Sequence, residues 1–217
     1  AESVIKRVVK GTLPTNLRRF EHGLFSILDS DVMIARVSYS GEDGFEIFVK
    51  CQNAIQIWHY LISNGAFPVG FDAIDVSRIE AGLLFFGSDM TGLETPTELG
   101  LDFILDDTKK KFRGKTAWQK KSLMPRHKIV GLTIDGLDPL YERTFLCVDE
   151  LPVGRITSFA VSAWLNKTVA IAQIKPELAV NGNQISVCEE SCRSFKNRKS
   201  IVCSRRFYSN VPTIADI

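Results

Sequence analysis

The hydrophobic positions of this chain follow a helical period in its front half and a two-residue period towards its end. "AESVIKRVVK" (1–10) has helical spacing. From 32 to 49 the pattern alternates as strands do, and in "RVSYSGEDGFEIFV" (36–49) a tight turn around Gly41 to Gly44 joins two of them. Alternation after the turn sets Phe45, Ile47 and Val49 on one face and Glu46, Phe48 and Lys50 on the other. Glu46 is expected on a face partly covered by protein, where a carboxylate needs a partner. "QNAIQIWHYLISNG" (52–65) places Ala54, Ile57, Trp58 and Leu61 on one helical stripe and stops at Gly65. A second helix is predicted after Gly70, capped by Asp72 and running through "AIDVSRIEAGL" to Gly82, and "FRGKTAWQKK" (112–121) predicts a short third.

Past "LMPRHK" (123–128) the character changes. "KIVGLTI", "TFLCV", "PVGRITSFAV", "TVAIAQI" and "NQISV" are short alternating runs separated by turn residues, the pattern of a β-sandwich or barrel. This divides the chain into 1–123 and 124–217. The last thirty residues, with Cys188, Cys192, Cys203 and a basic set from Arg193 to Arg206, are the least regular.

Composition narrows the classes. With 217 residues, 45% hydrophobic and 24% charged, the chain can bury a real core in one or two domains. A formal net charge of +2 gives no global argument for nucleic acid or a membrane surface. No apolar run approaches a bilayer span, and no signal peptide opens the chain. Five cysteines without disulfide-framework density favour a reducing compartment, the cytoplasm or the mitochondrial matrix. The chain begins at Ala1 inside a predicted helix, which reads as a cut.

Several chemistries drop out. "RGKT" (113–116) lacks the glycine that a phosphate-binding loop needs five residues before its Gly-Lys-Thr; Lys109 stands there. The late cysteines lack a second close pair or a nearby histidine, so no metal site is assigned. His22, His59 and His127 are scattered, no nucleophile elbow occurs, and the Asn166-Lys167-Thr168 sequon has no secretory context.

Four segments remain, "SYSGEDGFEIFV" (38–49), "GFDAIDVSRIEAGLLFFGSDM" (70–90), "TPTELGLDF" (95–103) and "FRGKTAW" (112–118). In this order and at these intervals they resemble the tetrahydrofolate-dependent aminomethyltransferase family. It includes the glycine-cleavage T-protein, the folate domains of sarcosine and dimethylglycine dehydrogenases, and the dimethylsulfoniopropionate demethylases. "VGRITSFAVSAWLNKTVAIAQI" (153–174) is similar to the family's C-terminal barrel. The resemblance implies an α+β fold: part of a folate-binding domain, with antiparallel strands and helices on one side, followed by a small Greek-key-like β-barrel.

The resemblance also implies a site. In the family's Tyr-x-Gly-Glu-x-Gly-Phe-Glu motif the last glutamate, here Glu46, accepts two parallel hydrogen bonds from the pterin ring of tetrahydrofolate. Tyr39, at the motif's tyrosine, would line the same site, whereas Glu42 reads as a solvated turn residue. Arg78 and Glu80 match a helix that buttresses the pocket; Arg78 either anchors an acidic group of folate or braces the fold through Asp89. The implied activity passes a one-carbon unit from a small amine or sulfonium donor to folate, with a lipoyl-bearing carrier protein as one candidate partner. A non-catalytic folate-binding regulatory or assembly module is the alternative. A third reading is an interaction domain, in which the basic run from Lys109 to Lys128 meets an acidic carrier or a folate polyglutamate tail.

Departures qualify the match. Ile74 stands before Asp75 where glycine-cleavage members usually carry arginine, which turns the reading towards the sarcosine-type and sulfonio-demethylase-type relatives. Ser38 replaces a common glycine, and the segment marking the iron–sulfur-maturation branch is absent after Leu101. The family's catalytic aspartate lies in a portion that would precede Ala1. No catalytic residue is therefore assigned, and the chain alone is expected to be catalytically silent.

Overall fold

The computed structural model describes residues 1–140, 144–191 and 194–207; for 189–191 and 194–197 it describes the backbone alone. The chain forms two compact units, residues 1–74 and 75–217.

The first unit opens with α1 (Glu2–Val8). An antiparallel sheet follows, β1 (His22–Ile27), β2 (Ser30–Ala35) and β3 (Glu46–Phe48), in that order across the sheet, and then α2 (Cys51–Ser63). The sheet's inner face carries Phe25, Ile27, Val32, Ile34 and Ile47. These pack with Ile5 and Val8 of α1 and Ile57 and Leu61 of α2 into one core. Strand β1 was not expected. It is paired residue for residue with β2 from His22↔Ala35 to Ile27↔Ser30, and the connecting pair Leu28 and Asp29 both take positive φ, 50° and 58°. A hairpin turn needs those angles, but Leu-Asp is not the Asn-Gly or Asp-Gly pair that announces one.

Helix α2 runs as predicted, with one difference. Ile57, Tyr60 and Leu61 join the core, whereas Trp58 is exposed. Its neighbour Ile57 already holds the inward position, and adjacent helical residues point about 100° apart. Helix α3 (Phe71–Glu80) starts at Phe71, one residue ahead of the expected cap at Asp72, and the unit boundary falls within it.

In the second unit α4 (Lys115–Ser122) precedes a closed six-stranded antiparallel barrel. Its strands are β4 (Lys128–Ile134), β5 (Thr144–Val148), β6 (Leu151–Ser162), β7 (Lys167–Ile174), β8 (Gln184–Ser191) and β9 (Ser194–Cys203), ordered β4-β7-β6-β5-β8-β9. The order is Greek-key-like: β5, β6 and β7 are successive neighbours, and β4 returns to lie beside β7. Leu132, Ile134, Leu146, Ala170, Ala172 and Val187 fill the interior. Strand β9 lies in the stretch expected to be irregular. It pairs with β8 throughout and closes the barrel against β4. No helix among the described residues is long and apolar enough to cross a membrane.

The outer wall of the barrel is covered by residues 76–101, through Ile79 and Leu99 against Ile129, Ala160, Val169 and Ile171. Two charged side chains fix this layer. Asp89, fully buried, accepts from Arg78 Nη1 (2.5 Å) and the Phe85 N–H (2.8 Å) at one oxygen, and from Thr157 (2.5 Å) and Ser158 (2.7 Å) hydroxyls at the other. Consecutive strand residues normally point to opposite faces. Thr157 and Ser158 reach one carboxylate because the β6–β7 register slips between Ile156 and Ser158, as at a bulge. Glu98, also buried, accepts from the Thr95 N–H and hydroxyl and from the Arg126 N–H and guanidinium.

Two stability predictions follow from these carboxylates. Asp89→Asn leaves Arg78 buried with only Asp75 opposite it, and chemical denaturation is expected to show a loss of roughly 3 kcal/mol, the low end of the range for a broken buried pair; a loss under about 1 kcal/mol would show that hydroxyls and backbone alone hold the layer. The Arg126 hydrogen bonds, opposed by burial, hold the Glu98 carboxyl well below its ordinary value of 4.5. A depressed carboxylate stabilises fully above its unfolded value and progressively less as pH falls towards its folded one. Glu98→Gln is expected to cost about 1–3 kcal/mol at neutral pH, and the gap to wild type should shrink on acidification below about pH 5. A gap that stays constant with pH would show that the charge of Glu98 contributes nothing.

Candidate functional site

The loop between β2 and β3 is held by Arg36, within the loop and against the segment before β1. Arg36 donates through Nε (3.0 Å) and Nη2 (2.9 Å) to the two oxygens of Asp43, and through Nη1 to the carbonyls of Thr15 and Leu17. Gly41 takes φ 79°, and a Cβ on Gly44 would stand 2.8 Å from that of Ser38. Both glycines are therefore required by the backbone. This closed loop presents Tyr39, 39% exposed, and delivers the chain to β3 at Glu46.

Because Ile47 faces the core, Glu46 and Phe48 face outward. Glu46 is exposed, which corrects the expectation of a partly covered carboxylate: α1 and α2 pack on the inner face only. Strand register arranges the outer face in rows. Glu46 lies opposite Ala35, which lies opposite His22; one pleat along, Phe48 lies opposite Met33, which lies opposite Leu24. Leu24 (82%) and Phe48 (51%) are exposed, and Met33 is half-buried. The side chains of Glu46 and His22 make no hydrogen bond or ion pair among the described residues.

Residues Phe45 and Ile47 point the other way, into a groove of about 360 Å³ that is also lined by Ala1, Val4, Ile5, Leu61 and Phe67. The side chains that line the groove are apolar, and its polar surface comes from the backbone. The open acceptor and the cavity thus lie on opposite faces of β3.

Arg78 belongs to the second unit and is buried there. Its Nε donates to Asp75 (2.7 Å), Nη1 to Asp89 and the Leu83 carbonyl, and Nη2 to Ser158 (2.8 Å). Of its two sequence readings, the brace through Asp89 is present. Glu98 was not singled out by the sequence reading, although a threonine three residues ahead of it is the local signal for a carboxylate that turns back to the chain.

Elsewhere the candidate chemistries thin out. Burial, with Cys147 close by, pushes the Cys188 thiol up to about 12, and burial pushes Cys203 up to about 11, so both are held as thiols. Cys192 lies outside the described residues. No group of three or more histidine, cysteine or acidic side chains suited to a metal ion occurs among the described residues. In the basic run, Lys115 donates to the Asp107 and Lys109 carbonyls and Arg126 pairs with Glu98. Lys109, Lys110, Lys111, Arg113, Lys120 and Lys121 are exposed.

Residues 1–109 match the GCVT N-terminal domain, and residues 127–208 match the glycine cleavage T-protein C-terminal barrel domain. The chain is 34% identical over 173 residues to an aminomethyltransferase of Thermosynechococcus vestitus, covering 79% of this chain and 47% of that protein. It is 34% identical over 185 residues to the heme-dependent oxidative N-demethylase gamma subunit of Ectopseudomonas mendocina, covering 79% and 49%. The crystal structure of glycine cleavage system aminomethyltransferase T from Bartonella henselae superposes with a TM-score of 0.79 at 26% identity, over 92% of this chain and 55% of that one. The chain spans about half the length of the curated relatives it matches. With a family model matched over the front half and a second over the barrel, the chain belongs to the glycine cleavage T-protein family of aminomethyltransferases.

Proposed function

We propose that this chain is the portion of a tetrahydrofolate-dependent aminomethyl- or methyltransferase that recognises the pterin. The observation that carries the reading is Glu46: an outward carboxylate with no side-chain partner among the described residues, at the motif position where the family meets folate, fixed by a loop whose geometry is set by Arg36 and Asp43. A carboxylate's two acceptor oxygens match the parallel N–H and amino donors of a pterin, and a charge-assisted double hydrogen bond both binds and orients. Tetrahydrofolate, when bound, supplies the ring nitrogen that takes up the one-carbon unit. Glu46 would hold the ring, and Tyr39, on the same connection, would line it.

Arg78 is proposed to support the site by bracing its own unit, since four hydrogen bonds already occupy its guanidinium. The division at residue 124 is kept as the proposed functional boundary, apart from the compact units 1–74 and 75–217. The names of the relatives, aminomethyltransferase and N-demethylase subunit, both concern carbon attached to nitrogen, which favours an amine over a sulfonium donor. A docking role for an acidic carrier protein has its own support in six exposed cations between Lys109 and Lys121.

Glu46→Gln replaces one acceptor by a donor facing the pterin. Titration calorimetry with a reduced folate is expected to show a tenfold or greater weakening, about 1.4 kcal/mol or more. Unchanged affinity in a folded variant would remove Glu46 from the site. For the donor, one-carbon transfer would be assayed on this chain and on any longer product of its reading frame, with sarcosine, dimethylglycine, dimethylsulfoniopropionate and an aminomethyl-lipoyl carrier in parallel. Ile74, in the place of the usual arginine, leads us to expect a free amine to exceed the lipoyl carrier. Preferred turnover of the carrier would overturn that reading of Ile74.

A further inference from the structure

We infer that His22 is a second ligand-facing group on the Glu46 face, and that it receives the aminobenzoylglutamate end of the folate whose pterin Glu46 holds. The inference rests on the Glu46 reading and adds to it the direction in which the ligand lies. His22 and Glu46 stand on the two edge strands of the sheet, in one row, with Ala35 of β2 between them. Two strand spacings separate them, about 10 Å. Alanine is the smallest side chain that position can carry without being glycine, so the middle of the row is a low floor between two polar ends.

The neighbouring row, Leu24–Met33–Phe48, is apolar across all three strands, with Leu24 and Phe48 largely exposed. It forms an apolar wall alongside the Glu46–Ala35–His22 row, and both rows run across the sheet from β3 to β1. A ligand that presents paired donors to Glu46 and rests its ring faces against this wall therefore extends towards His22. Beyond the pterin, a folate carries a benzoyl amide, whose carbonyl accepts, and glutamate carboxylates, which accept. An imidazole supplies an N–H donor, and in its protonated form a charge, to such groups. Among the described residues neither the His22 nor the Glu46 side chain has a hydrogen-bond or ion-pair partner, which leaves both for this pairing. The occupant that fits both ends is an elongated molecule with a donor pair at one end and acceptors at the other, which a reduced folate supplies and a bare pterin does not.

The test uses the whole chain and two probes, 5-formyltetrahydrofolate and a tetrahydropterin lacking the aminobenzoylglutamate tail, titrated against wild type, Glu46→Gln and His22→Ala, with near-ultraviolet circular dichroism confirming that each variant is folded. Glu46→Gln is expected to weaken both probes tenfold or more. His22→Ala is expected to weaken the folate about fivefold, the scale of one lost hydrogen bond, and to leave the tail-less pterin unchanged. If His22→Ala leaves folate binding intact while Glu46→Gln weakens it, the role of His22 is overturned and the Glu46 reading stands. Equal weakening of both probes by His22→Ala would also overturn it, since the tail would not be what His22 meets. If Glu46→Gln changes neither probe, or wild type binds neither, the Glu46 reading falls and the inference falls with it.

Discussion

A strand that buries Phe45 and Ile47 has to turn Glu46 and Phe48 the other way, and this two-residue alternation underlies the whole functional reading of the first unit. The core on the inner face is continuous, with aliphatic side chains from α1, α2 and three strands. A slip of one residue in β3 would expose Ile47 and drive Glu46 into that core. The loop before β3 therefore has to deliver the chain in one register, and its internal ties do so: the Arg36–Asp43 fork closes it, and Gly44 accepts an approach to Ser38 that leaves no room for a Cβ. The position of the carboxylate is a consequence of hydrophobic burial on the opposite face.

The second unit uses charge differently. Asp89 and Glu98 are fully removed from water, and each collects at least four donors from side chains and backbone. Desolvating a carboxylate costs more than a single ion pair returns, so saturation with donors is the condition under which it can be buried. The bulge in β6 meets that condition for Asp89 by turning Thr157 and Ser158 to the same side. Apolar contacts between residues 76–101 and the barrel wall supply the attraction, and the two carboxylates set the register in which those contacts form.

Where a segment's period and its punctuation agree, the sequence was readable. Helix α2 and strands β4 to β7 carry apolar residues at the spacing of their element and end at turn-forming residues. Two strands were not readable, for different reasons. In β1 the alternation is present, but its turn uses Leu28 and Asp29 in positive-φ conformations that side chains seldom signal. In β9, "SFKNRKSIVC", the polar positions outweigh the apolar ones, and only pairing with both β8 and β4 makes it a strand. The site was half legible. Spacing placed Glu46 opposite the buried face, yet which outward residues stand beside it depends on the pairing of β1. His22 looked isolated for that reason: the residue that brings it into a row with Glu46 is Ala35, on a different strand.

The two kinds of charged residue can therefore be told apart by what removing them should change. Asp89, Glu98 and Arg78 are each satisfied by several internal partners, so the fold itself accounts for their identity, and a binding effect from altering them would be inseparable from a loss of structure. Among the described residues the side chains of Glu46 and His22 have no partner, and both lie outside the core, so folding places little demand on their chemistry. Substituting them should leave stability nearly untouched while changing recognition of any ligand on that face. A carboxylate and an imidazole, facing the same way across a floor of one alanine and beside an apolar row, form an arrangement whose energetic consequences appear only when something binds there.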